Sequence, residues 1–269
     1  LIDIPCHILP GLDDGAKSTD EAVAMARKLV DAGFDTVIAT PHIMEGREYI
    51  TPNVIKEKVH QLNDLFVKKN ISLKVLPGGE VYIFPDLARW YKEGKILSLA
   101  DTGKYLLVEL PMQSIPPYTE QVFFDLRVQG IIPLLAHPER NAQIMKTPEV
   151  LLAWIEKGVQ LQVNLRSFAG VYGSGPRQLA EALLLSGMAH FLGSDLHNAK
   201  ENRGSDLKEI QAIIQELNST DLVAATTENP FHILQGSPWT PATPIVIQKK
   251  HQAKKQKIRS WLQVLASKI

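Results

Sequence analysis

The chain of 269 residues carries cation-binding and proton-carrying side chains at recurring places. His7, Asp13 and Asp14 follow the apolar run at 2–4, and His42 follows the run at 36–40 in Ala39-Thr40-Pro41-His42. Glu80 follows 73–76 through Pro77-Gly78-Gly79, and Glu109 closes Leu106-Leu107-Val108. His137 closes Leu134-Leu135-Ala136 with Pro138, Glu139 and Arg140 behind it, and Asp195 and His197 follow Phe191-Leu192-Gly193-Ser194. Imidazole and carboxylate together suit Mn, Fe or Zn, and this many candidate donors suggest more than one ion. Any one of them alone reads better as a hydrogen-bonding residue or a helix cap at a strand end. Repetition of the same placement favours a shared site.

The elements that position these residues alternate. Short β-branched runs predict strands over 2–4, 36–40, 73–76, 105–109, 132–136, 160–164 and 190–193. Between them, helical spacing predicts helices beginning after Ser18 and over about 53–68, 119–129, 148–157 and 176–186. Ser18 with Glu21 is a capping-box signature, and Gly33 supplies a stop. Repeated βα alternation requires parallel strands covered by helices, either as an α/β barrel or as an open doubly wound sheet. In both, the carboxyl ends of the strands share one rim, so the residues above can converge. One domain is expected over 1–235, then a Pro-rich link (Pro238, Pro241, Pro244) and a basic amphipathic helix within 236–269.

Composition narrows the function classes. Formal charge balances to zero, which gives no general argument for a nucleic-acid partner, and none is expected. The single cysteine, Cys6, rules out an intramolecular disulfide and suits a reducing cytoplasm. Cys6 reads as a small space-filling residue, and Leu12 stands where a cysteine phosphatase would need its phosphate-binding Arg. No apolar stretch is long enough to cross a bilayer and no signal segment opens the chain. Over 245–269 there are Lys and Arg but no Asp or Glu, with Ile258, Trp261, Leu262, Leu265 and Ile269 at helical spacing. Such a segment either packs on the domain or another subunit, or makes peripheral contact with an anionic membrane.

Ile2-Asp3-Ile4-x-Cys6-His7-Ile8-Leu9-Pro10-Gly11-x-Asp13-Asp14-Gly15 resembles the opening motif of the PHP-type tyrosine phosphatases that accompany capsule and exopolysaccharide synthesis. Ala39-Thr40-Pro41-His42, Gly78-Gly79-Glu80, His137-Pro138-Glu139-Arg140 and Ser194-Asp195-x-His197 resemble the later motifs, in order, over 2–235. The resemblance implies a distorted (β/α)₇ barrel of the PHP type holding two or three divalent ions, manganese first, with Fe, Zn or Mg as alternatives. It implies metal ligation by His7, Asp14, His42, Glu80, Glu109, His137, Asp195 and His197. Arg140 and Arg203 match positions where a phosphate is held, and Asp14 could steer water or supply a proton. The implied activity is hydrolysis of phosphotyrosine in a protein, with a bacterial tyrosine autokinase as partner.

One residue departs from that pattern. The family has His-x-His where this chain has Pro5-Cys6-His7. Residues two apart on a strand share a side, so His-x-His puts two imidazoles on one ion. Pro5 cannot coordinate, and it also removes a backbone donor that a central strand would use. Reduced metal occupancy or activity is therefore expected. Two other readings stay open: a small-molecule phosphomonoesterase of the histidinol-phosphatase kind, and a binding module whose catalysis is impaired.

Overall fold

The computed structural model describes residues 1–47, 49–200, 207–217 and 222–244. Arg203 and the basic helix expected over 245–269 lie outside the described residues. The strands are β1 (Ile2–Cys6), β2 (Thr36–Ala39), β3 (His42–Ile43), β4 (Lys74–Pro77), β5 (Glu80–Tyr82), β6 (Tyr105–Glu109), β7 (Ile132–Leu135), β8 (Gln160–Asn164) and β9 (Phe191–Gly193). The helices in the first half are α1 (Thr19–Asp31), α2 (Pro52–Lys68), α3 (Leu87–Lys92) and α4 (Thr119–Val128). They are followed by α5 (Ala142–Lys146), α6 (Glu149–Glu156), α7 (Leu165–Phe168), α8 (Ser174–Leu185), α9 (Leu207–Leu217) and α10 (Asn229–Gln235).

Every strand pairing is parallel among the described residues, in the orders β1-β2-β4 and β3-β5-β6-β7-β8-β9. The chain changes sheet three times, at Thr40-Pro41, back through α2 and again at Gly78-Gly79, and the two parts make one α/β half-barrel. β9 returns beside β1: Asp195 N donates to Pro5 O at 3.1 Å and His7 N donates to Leu196 O at 3.0 Å.

Burial of both strand faces explains the continuous apolar runs that replace alternation in the sequence. In β6, Leu106 and Val108 join the layer between strands and helices with Leu29, Phe66 and Trp154. Tyr105 and Leu107 point the other way, into the interior cluster with Ile4, Ile38, Leu134 and Phe191. The Ser18 hydroxyl caps α1 by accepting from Glu21 N at 3.2 Å, and the Glu21 carboxylate accepts from Lys17 N rather than from the cap itself. α2 starts one residue earlier than the spacing predicts, because Thr51 is the cap and Pro52 the first residue.

The segment 237–244, expected as a link, lies against the amino-terminal ends of the strands. Tyr105 Oη donates to Ser237 O and accepts from Trp239 N, and Gln160 Nε2 donates to Trp239 O at 2.7 Å. His190 is structural there: its Nδ1 accepts from Leu161 N at 2.9 Å.

Pro5 is buried within β1, and the β1–β2 register shifts between Asp3 and Cys6. The strand thus places its missing donor where regular pairing is already broken. Cys6 is fully buried in the core, as a space-filling residue should be.

Candidate metal centre

At the carboxyl ends of the strands, the structure brings His7, Asp14, His42, Glu80, Glu109, His137, Asp195 and His197 into one cluster. Three overlapping groups have donor atoms all within 4.8 Å of one another: His7, Asp14, His42 and His197; His7, Glu80 and Asp195; and His42, Glu80 and Glu109. Glu80 is shared by the second and third groups. Its Oε2 lies 3.0 Å from His7 Nε2 and its Oε1 3.2 Å from His137 Nε2. His42 Nδ1 lies 3.4 Å from Glu109 Oε2. At the outer edge, the exposed Asp14 carboxylate stands 3.5 Å from His197 Nε2 and 3.6 Å from His42 Nε2.

Close approach here does not mean hydrogen bonding. His7 Nε2, His42 Nδ1, both Glu80 oxygens and Asp195 Oδ1 are buried and have no hydrogen-bond partner among the described residues. Each such atom costs about 1–3 kcal/mol if left unsatisfied. Five of them meeting at one point fit divalent cations, and imidazole with carboxylate suits Mn, Fe or Zn.

Without a cation, the cluster shares protons. Burial lowers His137, but the Glu80 carboxylate beside it lifts it to about 9. Burial raises Glu80, yet the imidazoles of His137 and His7 hold it down to about 2. Burial and the charge of Glu80 push Glu109 up to about 7. Cation binding must therefore displace protons from these groups.

The backbone shows how the residues are aimed. His137 and Asp195 both sit at positive φ, 30° and 50°, an uncommon conformation for residues other than glycine. Glu139 anchors the turn after His137 by accepting from Asn164 N at 3.0 Å and Ser167 Oγ at 2.7 Å. At the other end, the Asp3 carboxylate accepts from Ser194 N and Ser194 Oγ, both at 2.6 Å. Asp3 is fully buried, and burial pushes it up to about 7 despite those two donors.

Several residues of the site were given no role from the sequence. Asp13, grouped there with Asp14, turns inward. Its Oδ2 meets His7 Nδ1 at 2.7 Å and accepts from His42 N at 3.0 Å, while Oδ1 accepts from Gly15 N at 2.9 Å. Asp13 orients His7 from behind, as outer carboxylates do for ligating imidazoles. Replacing Asp13 with Ala is expected to weaken manganese binding about 10–100-fold. Titration of metal into the stripped protein reads this, and unchanged affinity would mean that His7 is oriented by other contacts.

Gln162 and Asn164 form a second missed set. Gln162 Oε1 accepts from His137 N, Gln162 Nε2 donates to Asn164 Oδ1, and Asn164 Nδ2 donates to Asp195 Oδ2 at 2.7 Å. The signal was legible: Gln160, Gln162 and Asn164 alternate along a strand that is otherwise apolar.

Arg140 reaches the same place. Its Nη1 donates to Asp195 Oδ2 at 2.8 Å, and its Cζ lies 4.2 Å from the centre of the Tyr172 ring. A broad groove of about 1050 Å³ beside α2, α3 and α4 shares no residue with the cluster.

A parallel α/β fold with imidazoles and carboxylates converging at its strand ends defines a metallohydrolase-like centre. The sequence profile of the family described as "Capsular polysaccharide synthesis, CpsB/CapC" matches residues 1–235, and the chain belongs to that family. The tyrosine-protein phosphatase YwqE of Bacillus subtilis (strain 168) is 39% identical over 235 residues, 87% of this chain and 92% of that protein. The putative tyrosine-protein phosphatase CapC of Staphylococcus aureus is 32% identical over 225 residues, 81% of this chain and 88% of that protein. Among solved structures, a chain from work on YwqE from Bacillus subtilis and CpsB from Streptococcus pneumoniae, described as unique metal-dependent tyrosine phosphatases, superposes with TM-score 0.83. It is 35% identical, and the match covers 93% of this chain and all of that one.

Proposed function

We propose that this chain is a metal-dependent phosphotyrosine-protein phosphatase acting in capsule or exopolysaccharide synthesis. The observation that carries the reading is the convergence of five unpartnered buried donor atoms at the strand ends, in a chain 39% identical to a tyrosine-protein phosphatase. This reading counts β2 with β3 and β4 with β5 as single staves, which makes the nine strands a (β/α)₇ barrel of the PHP type.

His7, Asp14, His42, Glu80, Glu109, His137, Asp195 and His197 would hold two or three ions, manganese by preference. Bound there, such ions supply Lewis-acid activation of water near neutral pH. The chain's own residues do the rest. Arg140 binds the phosphoryl oxygens through guanidinium donors, whose charge and planarity suit them, and Arg203 joins it. Asp14, exposed at the rim, orients the incoming water or passes a proton to the departing phenol. That leaving group has a pKa of about 10, so it needs less acid assistance than an alkoxide. A cytoplasmic tyrosine kinase is the partner this chemistry suits. The basic segment 245–269 gives the chain a means of peripheral contact with an anionic membrane.

Pro5 favours one second reading, an impaired phosphatase that retains binding. Its carbonyl accepts from Asp195 N, which puts position 5 beside the group formed by His7, Glu80 and Asp195. The test measures hydrolysis of p-nitrophenyl phosphate and a phosphotyrosine peptide by the full chain, after manganese loading and after chelation. Pro5→His and the metal content of both proteins are followed in parallel. Manganese-dependent turnover of both substrates is expected, with more metal and faster turnover in Pro5→His. Equal metal and equal turnover would remove any role for position 5. Silence in both forms would leave the binding-module reading, and preference for histidinol phosphate would favour the small-molecule reading.

A further inference from the structure

Arg140 is held by two contacts of different kinds. One guanidinium nitrogen, Nη1, donates to Asp195 Oδ2 at 2.8 Å, and Asn164 Nδ2 donates to the same oxygen at 2.7 Å. The Arg140 Cζ lies over the Tyr172 ring, 4.2 Å from its centre. A single salt bridge leaves an arginine free to swing about it. A ring beside the guanidinium carbon narrows that freedom, because a cation is held by a π-face only while it lies over it. No other hydrogen bond joins this guanidinium to a described residue, so donors remain for a ligand.

Tyr172 is itself fixed by the backbone. It lies in the short loop between α7 and α8, where Gly173 N donates to Gly170 O at 2.9 Å and Val171 N donates to Arg166 O at 3.3 Å. Gly170 and Gly173 stand at φ 74° and 101°, so the turn uses two conformations that other residues resist. Gly173 is also the cap residue of α8, which ties the loop to a twelve-residue helix. The Tyr172 hydroxyl has no hydrogen bond to a described residue, so the ring is the part in use.

We propose that Tyr172 is the positioning residue of the phosphoryl subsite, its ring holding the Arg140 guanidinium in place so that the donors not taken by Asp195 meet the phosphoryl oxygens. This rests on the phosphatase reading above. Tyr172 acts through Arg140 and needs no contact with the reacting atoms. Its loss should therefore weaken phosphate binding more than it slows turnover.

The test uses the full manganese-loaded chain as wild type, Tyr172→Ala, Tyr172→Phe, Arg140→Ala and the Arg140→Ala/Tyr172→Ala double variant. Metal content is measured for each. Tyr172→Ala is expected to raise KM for p-nitrophenyl phosphate, and the inhibition constant of inorganic phosphate, on the order of tenfold. Its kcat should fall much less, and its metal content should match wild type. Tyr172→Phe keeps the ring and should restore both constants. In the Arg140→Ala background, the Tyr172 change should add nothing, since a residue acting through Arg140 has no independent effect. Unchanged phosphate inhibition in Tyr172→Ala would overturn the proposal, and so would an equal additional loss in the Arg140→Ala background. A wild-type chain without metal-dependent turnover would overturn the phosphatase reading instead. Calorimetric titration of inorganic phosphate into the same proteins would then still decide the role of Tyr172.

Discussion

Glu80→Gln is expected to remove several kcal/mol of transition-state stabilisation, about a 10³-fold fall in manganese-dependent turnover, together with most of the bound metal. Among the described residues, no other carboxylate of the cluster lies within 4 Å of three imidazoles. Its two oxygens lie 3.0 Å from His7 Nε2, 3.2 Å from His137 Nε2 and 3.8 Å from His42 Nδ1. It belongs to two of the three donor groups, so one change disables two sites. Glutamine keeps the volume and one carbonyl oxygen but loses the charge, which makes it a test of ligation rather than of packing. The fold should survive, because a histidine that loses its buried counter-charge can shed its proton and become neutral. Measured together, metal content, turnover and the melting curve decide the matter. If Glu80→Gln binds metal and turns over like wild type, Glu80 is not a ligand. If the melting transition collapses as well, Glu80 is structural first.

The largest elements of the fold were legible because their physics is local. The strand at 105–109 and the one at 160–164 match β6 and β8 residue for residue, the first an apolar run ended by Glu109 and the second an alternation of polar and apolar residues ended by Asn164. β3 and β5 were invisible for the opposite reason. They are two and three residues long, and follow Pro41 and Gly79 where the chain steps between sheets. Too short to show a period, they nevertheless present His42 and Glu80. The residues behind the site were hidden by distance in sequence. Asp3 reads as an ordinary first-strand residue until Ser194, 191 positions later, is found bound to it. Asp13 and Asp14 are chemically identical neighbours; only the folded loop sends one beneath His7 and leaves the other in solvent. Tyr172 lies in the loop before α8, and nothing in its local sequence points to an arginine 32 positions earlier.

Closure of the first strand onto the last makes the second large prediction. Gly193→Ala should cost about 3 kcal/mol or more, seen as a drop in melting temperature of about 6–12 °C for a domain of this size. A Cβ at position 193 would fall 1.8 Å from Ile4 O, 2.4 Å from Ile4 C and 3.0 Å from Pro5 N. All three are backbone atoms, so no side-chain rotation can relieve the overlap. Gly193 does not have a positive φ, so the cost comes from the approach of the two chains and not from its own conformation. To admit the methyl group, β9 must move off β1. That movement breaks the bond from Asp195 N to Pro5 O and the one from His7 N to Leu196 O. It also pulls Ser194 from the Asp3 carboxylate. Asp195 and His7 would then separate, although each remains chemically intact. Gly193→Ala should thus lose metal as well as stability, and the loss should persist at temperatures where the variant is still folded. A variant that melts like wild type and holds its full metal content would mean that β1 and β9 are not in close contact, and that the site does not depend on this closure.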